Sequence, residues 1–542
     1  MSELVRPWQA LGRRKRLITV LASFLVAAAL LASCGSSPAS NQRLSVAVDV
    51  GSIPGNLNGT LAVGSRAVTD QIDALILPRA FYMDAAGNYV LDTRYVTSAE
   101  VVSVDPQVVV YKINTKATWS DGHALSAGDF VYTYEAQRRG AEGALPSYWA
   151  LLDHQGTYNS VSAVQANQAG NQVTVRFSKP DANWRMLFNP ILPSRYMQAN
   201  GFVASMSLGQ TGFPTIDPYR IDSYTSGAVV LSAKSASGAP FSSLAFRTAT
   251  VPSAAKVTVS ATSSVADLSG ASLFVPGTRL YRVSFNLQTT SVWFRRAVAA
   301  SIDRNALYQH LYARSKARFL GYNPPGSNLF LGSQSGYSNS QGSDGVPSYA
   351  RSTDLFILGG FTYSPAGFLD PISGPLTATL LYDGSSSTAG RIAELVSRMV
   401  GYMGVHVSLV REPDAASLKA ALAHGAFTMA ITSEDMTLGP TALADSYLTR
   451  SSPATDIAPL IPVDASSIVA QAGTDIYPVA SAKVFASVDS LIWQQMATFP
   501  LLAPPVGVTL SGQAPTSTQL AALLQLATSG GFETSQPRAY PR

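Results

Sequence analysis

The sequence predicts a large α/β protein with more than one lobe, and three observations carry that expectation. The chain has 542 residues, several domains' worth at about 100–200 residues each. Its 46% hydrophobic and 13% charged residues are the composition of a folded chain with a sizeable core. Between Leu376 and Ile431, strand and helix periodicities alternate as β-α-β-α-β, the pattern of a locally parallel sheet with helical crossovers.

The first thirty-four residues set the compartment. Arg6, Arg13, Arg14, Lys15 and Arg16 precede the apolar run 17–31, which Leu31-Ala32-Ser33-Cys34 follows. The run is too short to span a membrane and reads as an export signal. Cys34, the single cysteine, stands where a bacterial lipobox needs the thiol that receives a diacylglycerol. Residues 1–33 are therefore expected to be a lipoprotein signal peptide, 34–42 a flexible tether, and the mature chain an extracytoplasmic protein held at the membrane by its lipid. Most of the net charge of +5 lies in the signal, which leaves no surface for a polyanion such as nucleic acid.

Along the body, 43–50 alternates as a strand and runs into the turn-rich Gly51–Gly59, where Asn56 and Asn58 are candidate ligand contacts. Residues 101–113 read as two strands about Asp105-Pro106. Ser126 and Asp129 form a capping box for a helix up to Gly140, and Gln172–Phe177 is a further strand. Residues 282–287 predict a strand that contains Asn286, a candidate ligand contact expected at the lobe crossing, and a helix is expected over 292–312. Residues 326–352 carry no period and are expected to be a long surface loop. Ile392, Leu395, Val396, Met399, Val400 and Met403 share one helical face, and Asp414 caps a short helix that Gly425 ends. Residues 509–542 are expected to be a loosely packed tail with one weak helix.

Catalytic spacing is missing. The sequence has no GxSxG, HExxH, Walker loop or GxGxxG at a strand–helix junction, and its five histidines are scattered. No catalytic residue, metal site or cofactor is expected, and the chain is not read as an enzyme.

Several segments, in order, resemble the family 5 solute-binding proteins, the extracytoplasmic receptors of peptide- and nickel-type ABC importers. Tyr111-Lys112-Ile113 leading to Trp119-Ser120-Asp121-Gly122, then Leu125 to Tyr132, looks like the family signature. Residues 173–180, Phe285-Asn286, Phe294 to Arg304, 401–407 and Phe499-Pro500-Leu501 fit later landmarks. The resemblance implies a two-lobed periplasmic-binding-protein-like α/β fold (type II, with an extra subdomain), hinged between its lobes. It places lobe I at about 43–77, 210–282 and 490–542, the subdomain at about 78–209 and lobe II at about 283–489, within a family domain of 43–508. It implies a monomer that binds a small-molecule or peptide ligand and meets an ABC permease. Trp119, Asp121, Gly122 and Asp129 are expected to be structural. In peptide-binding relatives an aspartate beyond the strand 426–431 takes the ligand's amino group, which makes Asp435 a candidate beside Asn286. A narrower likeness, in 74–81, 98–101 and 184–193, is to mycobacterial lipoprotein W, and implies the alternative of a binding or regulatory role in phosphatidylinositol mannoside and lipoarabinomannan assembly.

Overall fold

The structure is a computed structural model that describes residues 43–528 except 62–65, 85–87, 140–147, 149–150, 153–157, 217, 235–238, 249, 253, 263–267, 269–270, 272, 366, 373, 437–438, 446 and 448–477. The signal, Cys34 and the tether lie outside the described residues. Among those described, no helix is long and apolar enough to cross a membrane.

Two sheets organise the body. The first has seven strands in the order Leu273–Val275, Val506–Gly512, Val257–Thr262, Leu44–Val50, Phe241–Thr248, Ala228–Ala233 and Tyr219–Tyr224. The second has five, in the order His406–Glu412, Thr377–Asp383, Met429–Asp435, Arg279–Phe285 and Thr498–Leu502. Leu44–Val50 has Val46, Ala47 and Val48 almost wholly buried, as a central strand flanked by parallel neighbours must. A four-stranded antiparallel sheet (Val96–Val104, Gln107–Ile113, Gln172–Phe177, Val161–Ala166) forms the subdomain, and its inner face joins the first sheet's core in one apolar cluster. The second sheet has its own core, in which Ile392, Val396 and Val400 of helix Ser387–Gly401 pack on Val283, Phe285 and Leu380.

The β-α-β-α-β segment forms as its periodicity requires. Thr377–Asp383 pairs in parallel with His406–Glu412 on one side and Met429–Asp435 on the other, through helices Ser387–Gly401 and Ala415–His424. The Asp414 carboxylate accepts the Ser417 N–H, and Gly425, at φ +72°, ends that second helix in the left-handed conformation.

Other expectations are corrected. The helix expected over 292–312 is two, Val292–Ser301 and Arg304–Leu311, because Asp303 caps the second by accepting the Ala306 N–H. The 326–352 segment is no simple surface loop: Ser327, Asn328 and Leu329 are buried, and a helix starts at Tyr349. Thr509–Gly512 belongs to the first sheet rather than to a tail, and helix Ser517–Thr528 buries Leu523 in the same core.

The chain passes between the two sheets twice, at 276–278 and 503–505. Both crossings differ from the boundaries expected near 283 and 490, because Arg279–Phe285 and Thr498–Leu502 hydrogen-bond within the second sheet.

Candidate functional site

Strand directions locate the site. Val275 and Val506 flank the crossings in the first sheet, and Thr262 lies opposite Gly507, so the crossings leave from the carboxyl end of Val257–Thr262. Leu44–Val50 and Phe241–Thr248 run parallel to that strand and end at the same edge. In the second sheet Arg279 faces Asp435, which puts the crossing at the carboxyl end of Met429–Asp435 and of the two strands that run parallel to it, Thr377–Asp383 and His406–Glu412. The carboxyl ends of the parallel strands in both lobes thus meet at the crossings, and open α/β sheets take ligands beyond such ends.

The two crossings touch. A β-carbon added to Gly277 would lie 1.9 Å from the Pro504 carbonyl oxygen, so only glycine permits the contact. The Thr278 carbonyl accepts the Met436 N–H and ties the outgoing crossing to the end of the Asp435 strand.

On one face of the second sheet, at this end, stand Arg279, Tyr281, Ser433 and Asp435. The Tyr281 hydroxyl lies 3.3 Å from the Ser386 hydroxyl, which caps the 15-residue helix Ser387–Gly401. On the other face a buried polar chain runs inward. Glu434 pairs with Arg282 at 2.8 Å, and Arg282 donates to the Tyr447 hydroxyl. Tyr447 meets Thr498, Thr498 donates to the Asn328 side-chain oxygen, and Asn328 donates to Asp489 through both its backbone and side-chain nitrogens. Burial raises the Asp489 carboxyl to about 6 against the opposing hydrogen bonds, and raises the Tyr447 hydroxyl too. Sequence reading missed this chain. Its visible signal is Arg282, a cation in the middle of a strand, between Tyr281 and Val283.

In the first lobe, the loop leaving Leu44–Val50 rests on helix Arg66–Ile76. The Asp73 carboxylate accepts the Gly59 N–H at 3.0 Å, and burial first, then Asp70, holds it well above the usual carboxylate range.

The sequence candidates divide. Asp435 stands at the crossing end of its strand, opposite Arg279. Asn56 and Asn58 lie in the right loop, but both are buried and their amides serve the protein: Asn56 donates to Val203 O and Ser207, and Asn58 donates to Phe202 O while accepting from Thr60. They pin the loop to residues 202–207. Asn286 was expected at the lobe crossing and lies beyond the opposite end of the strand Arg279–Phe285, about 24 Å from Arg279 at 3.4 Å per residue. It donates to the carbonyls of Gly425 and Phe427.

The signature residues are built into the subdomain. The Asp129 carboxylate accepts from Trp119 Nε1, the Ser126 N–H and hydroxyl, and the Ser194 N–H and hydroxyl, and it joins a turn, a helix start and a second helix. Asp121 accepts the His123 N–H, and Gly122 at φ +88° makes the turn between them. Among the described residues, no group of three His, Cys, Asp or Glu side chains is arranged to hold a metal.

Comparison with known proteins agrees with this anatomy. Residues 93–236 match the model of the bacterial extracellular solute-binding proteins, family 5 middle. The oligopeptide-binding protein OppA of Mycobacterium tuberculosis is 33% identical over 148 residues, which cover 27% of this chain and 23% of that protein's length. Among solved structures, the periplasmic EDTA-binding protein EppA superimposes with a TM-score of 0.72 at 21% identity, covering 88% of this chain and 95% of the other. The oligopeptide-binding protein AppA of Bacillus subtilis, in complex with a nonapeptide, superimposes at 0.58 and 11% identity over 87% and 95%. The signature lies inside the segment 93–236 that matches the family 5 solute-binding proteins, and the two lobes crossing twice give the chain the fold of the periplasmic binding proteins.

Proposed function

We propose that this chain is a lipid-anchored, extracytoplasmic solute-binding protein of an ABC importer, which captures an oligopeptide-like solute by lobe closure and hands it to the permease without transforming it. The observation that carries the reading is the meeting of carboxyl strand ends from both lobes at two short crossings in contact, a geometry suited to closing on a ligand. The OppA relative and the nonapeptide complex of AppA support a peptide, although EppA is named for EDTA, a different polycarboxylate ligand. A closed crevice would bury the solute's backbone among strand ends and loop amides. Asp435 is our candidate contact, and Cys34 the lipidated residue. The lobes are taken to divide at 276–278 and 503–505. The alternative role in envelope glycolipid assembly gains no support from the site or from these relatives.

Calorimetry and thermal melting with peptide mixtures of defined length test the solute. Heat of binding and a raised Tm are expected, and neither appearing with any length would overturn peptide capture. Cys34→Ala is expected to abolish membrane retention of the processed chain, and its retention would overturn the anchor.

A further inference from the structure

We propose that the tip Lys316–Leu320 of the second lobe docks on an anionic phospholipid surface, with Phe319 entering the headgroup layer and Arg314, Lys316 and Arg318 lying against the phosphates. Phe319 is 80% exposed, and Leu320 beside it is 38% exposed. Taking such a ring out of water favours the docked state by roughly tenfold to a hundredfold. Arg314, Lys316 and Arg318 are exposed, and among the described residues no carboxylate pairs with any of them. The sequence holds neither Asp nor Glu from 304 to 343, so the positive charge of the tip has no neighbour in the chain to cancel it.

The fold holds this tip outward. The Ser315 hydroxyl accepts the Ala317 N–H and donates to the Leu268 carbonyl, which starts the 3₁₀ turn Lys316–Phe319. Ala317 is buried, and its carbonyl accepts from the Tyr308 hydroxyl at 2.8 Å and from the Leu320 N–H. Tyr308 stacks on Tyr322, whose hydroxyl donates to the Leu501 carbonyl in strand Thr498–Leu502. The backbone on both sides of Phe319 is thereby fastened to the second lobe, while the ring itself has the Arg318 guanidinium 5.1 Å from its centre. A side chain displayed on a fixed backbone loses little further freedom on docking.

The shape favours lipid over a protein partner. A stable protein interface needs about 800 Å² on each side, closely matched in form. This tip is one ring and one leucine among cations, and a fluid surface conforms to it while long basic side chains reach the phosphates from their stems. Each Lys or Arg near an anionic surface adds about fivefold to partition, so the three together add about a hundredfold at low salt. Beyond the signal the chain is almost neutral in sum, which confines the attraction to this tip and makes it orienting. On the anchor reading above, the tether 34–42 spans at most about 30 Å and keeps the body within reach of the bilayer. The contact itself requires no acyl chain and stands apart from that reading.

The full chain carrying Cys34→Ala and Leu320→Cys, labelled with nitrobenzoxadiazole at its single thiol, tests the contact on protein-free vesicles of phosphatidylglycerol and phosphatidylcholine in equal parts. Every variant keeps residues 1–33, so adsorption through the signal is common to all and only the local label reads the tip. Blue-shifted emission and shielding from acrylamide are expected at 320, and not for the same label on Ile372→Cys, an exposed apolar position after strand Gly367–Asp370. The ratio of shielded to exposed label is expected to fall about tenfold or more with Phe319→Ala. It is expected to fall about a hundredfold with Arg314→Ala, Lys316→Ala and Arg318→Ala together, or on phosphatidylcholine alone, with circular dichroism unchanged. An unshifted label, equal responses at 320 and 372, or indifference to both sets of substitutions would each overturn the contact. A label shielded only in native membranes would assign the tip to a membrane protein and overturn the lipid surface. Solute and acyl chain play no part in these readouts.

Discussion

At the residue scale, buried ionisable groups decide where stability depends on pH. Asp489 sits near 6 in the folded chain, against about 3.9 for a free aspartate. The unfolded chain loses this proton first, so stability is full below about pH 4 and falls as pH rises toward 6. The linkage amounts to about 3 kcal/mol at most. Asp489→Asn keeps an acceptor for Asn328; it is expected to flatten stability between pH 4 and 6 and to raise Tm at pH 7, which thermal melts across that range check. Asp129 has the opposite use. Its carboxylate serves five donors, and Asp129→Ala is expected to cost about 3 kcal/mol or more by stranding them, with Asp129→Asn losing less. Urea unfolding of both variants measures the difference.

At the scale of elements, arginines hold the second lobe together through backbone carbonyls. Helix Pro478–Gln495 ends with carbonyls turned toward Arg295 and Arg296: Arg295 donates to Gln495 O and Thr290 O, and Arg296 to Gln494 O. Cations at a helix carboxyl end oppose its dipole and satisfy its last carbonyls. Burial lowers Arg295 to about 10, which leaves it charged at neutral pH. Arg304 is buried among the oxygens of Pro325, Pro500, Gln341 and Gly345, and fastens the 325–345 segment to the hinge-side strand Thr498–Leu502. Arg295→Ala is expected to lower stability by about 2 kcal/mol, as orphaned carbonyls in a helix end imply, with Arg295→Lys between; denaturant midpoints check the order. These contacts give a physical meaning to the Phe294-Arg295-Arg296 landmark that the sequence displays without explaining.

At the scale of the whole molecule, the two crossings are in contact at Gly277 and Pro504, and the closure proposed above would have to turn about them. Gly277 has no positive φ, so its backbone would accept a larger residue; the obstacle is the Pro504 carbonyl. Gly277→Val is expected to wedge the crossings apart, to weaken solute binding at least tenfold and to remove the contraction on binding that small-angle scattering is expected to show for the parent chain, while circular dichroism stays unchanged. Tight binding by the variant would show that closure does not use this contact.

Local sequence determined the elements and their kind. Alternation and helical faces are short-range, so Leu44–Val50, Gln172–Phe177, the 376–431 run and the caps at Ser126 and Asp414 were legible, as was the signature inside the segment 93–236 that matches the family 5 solute-binding proteins. Tertiary structure alone decided which ends of those elements meet. Whether Asn286 lies at the crevice or far from it depends on strand direction in the assembled sheet, and whether Asn56 and Asn58 have amides to offer depends on the 202–207 segment, which no local pattern connects to them. The Glu434–Asp489 chain draws on residues more than a hundred positions apart, because a buried charge recruits whatever polar groups the fold brings within hydrogen-bond reach.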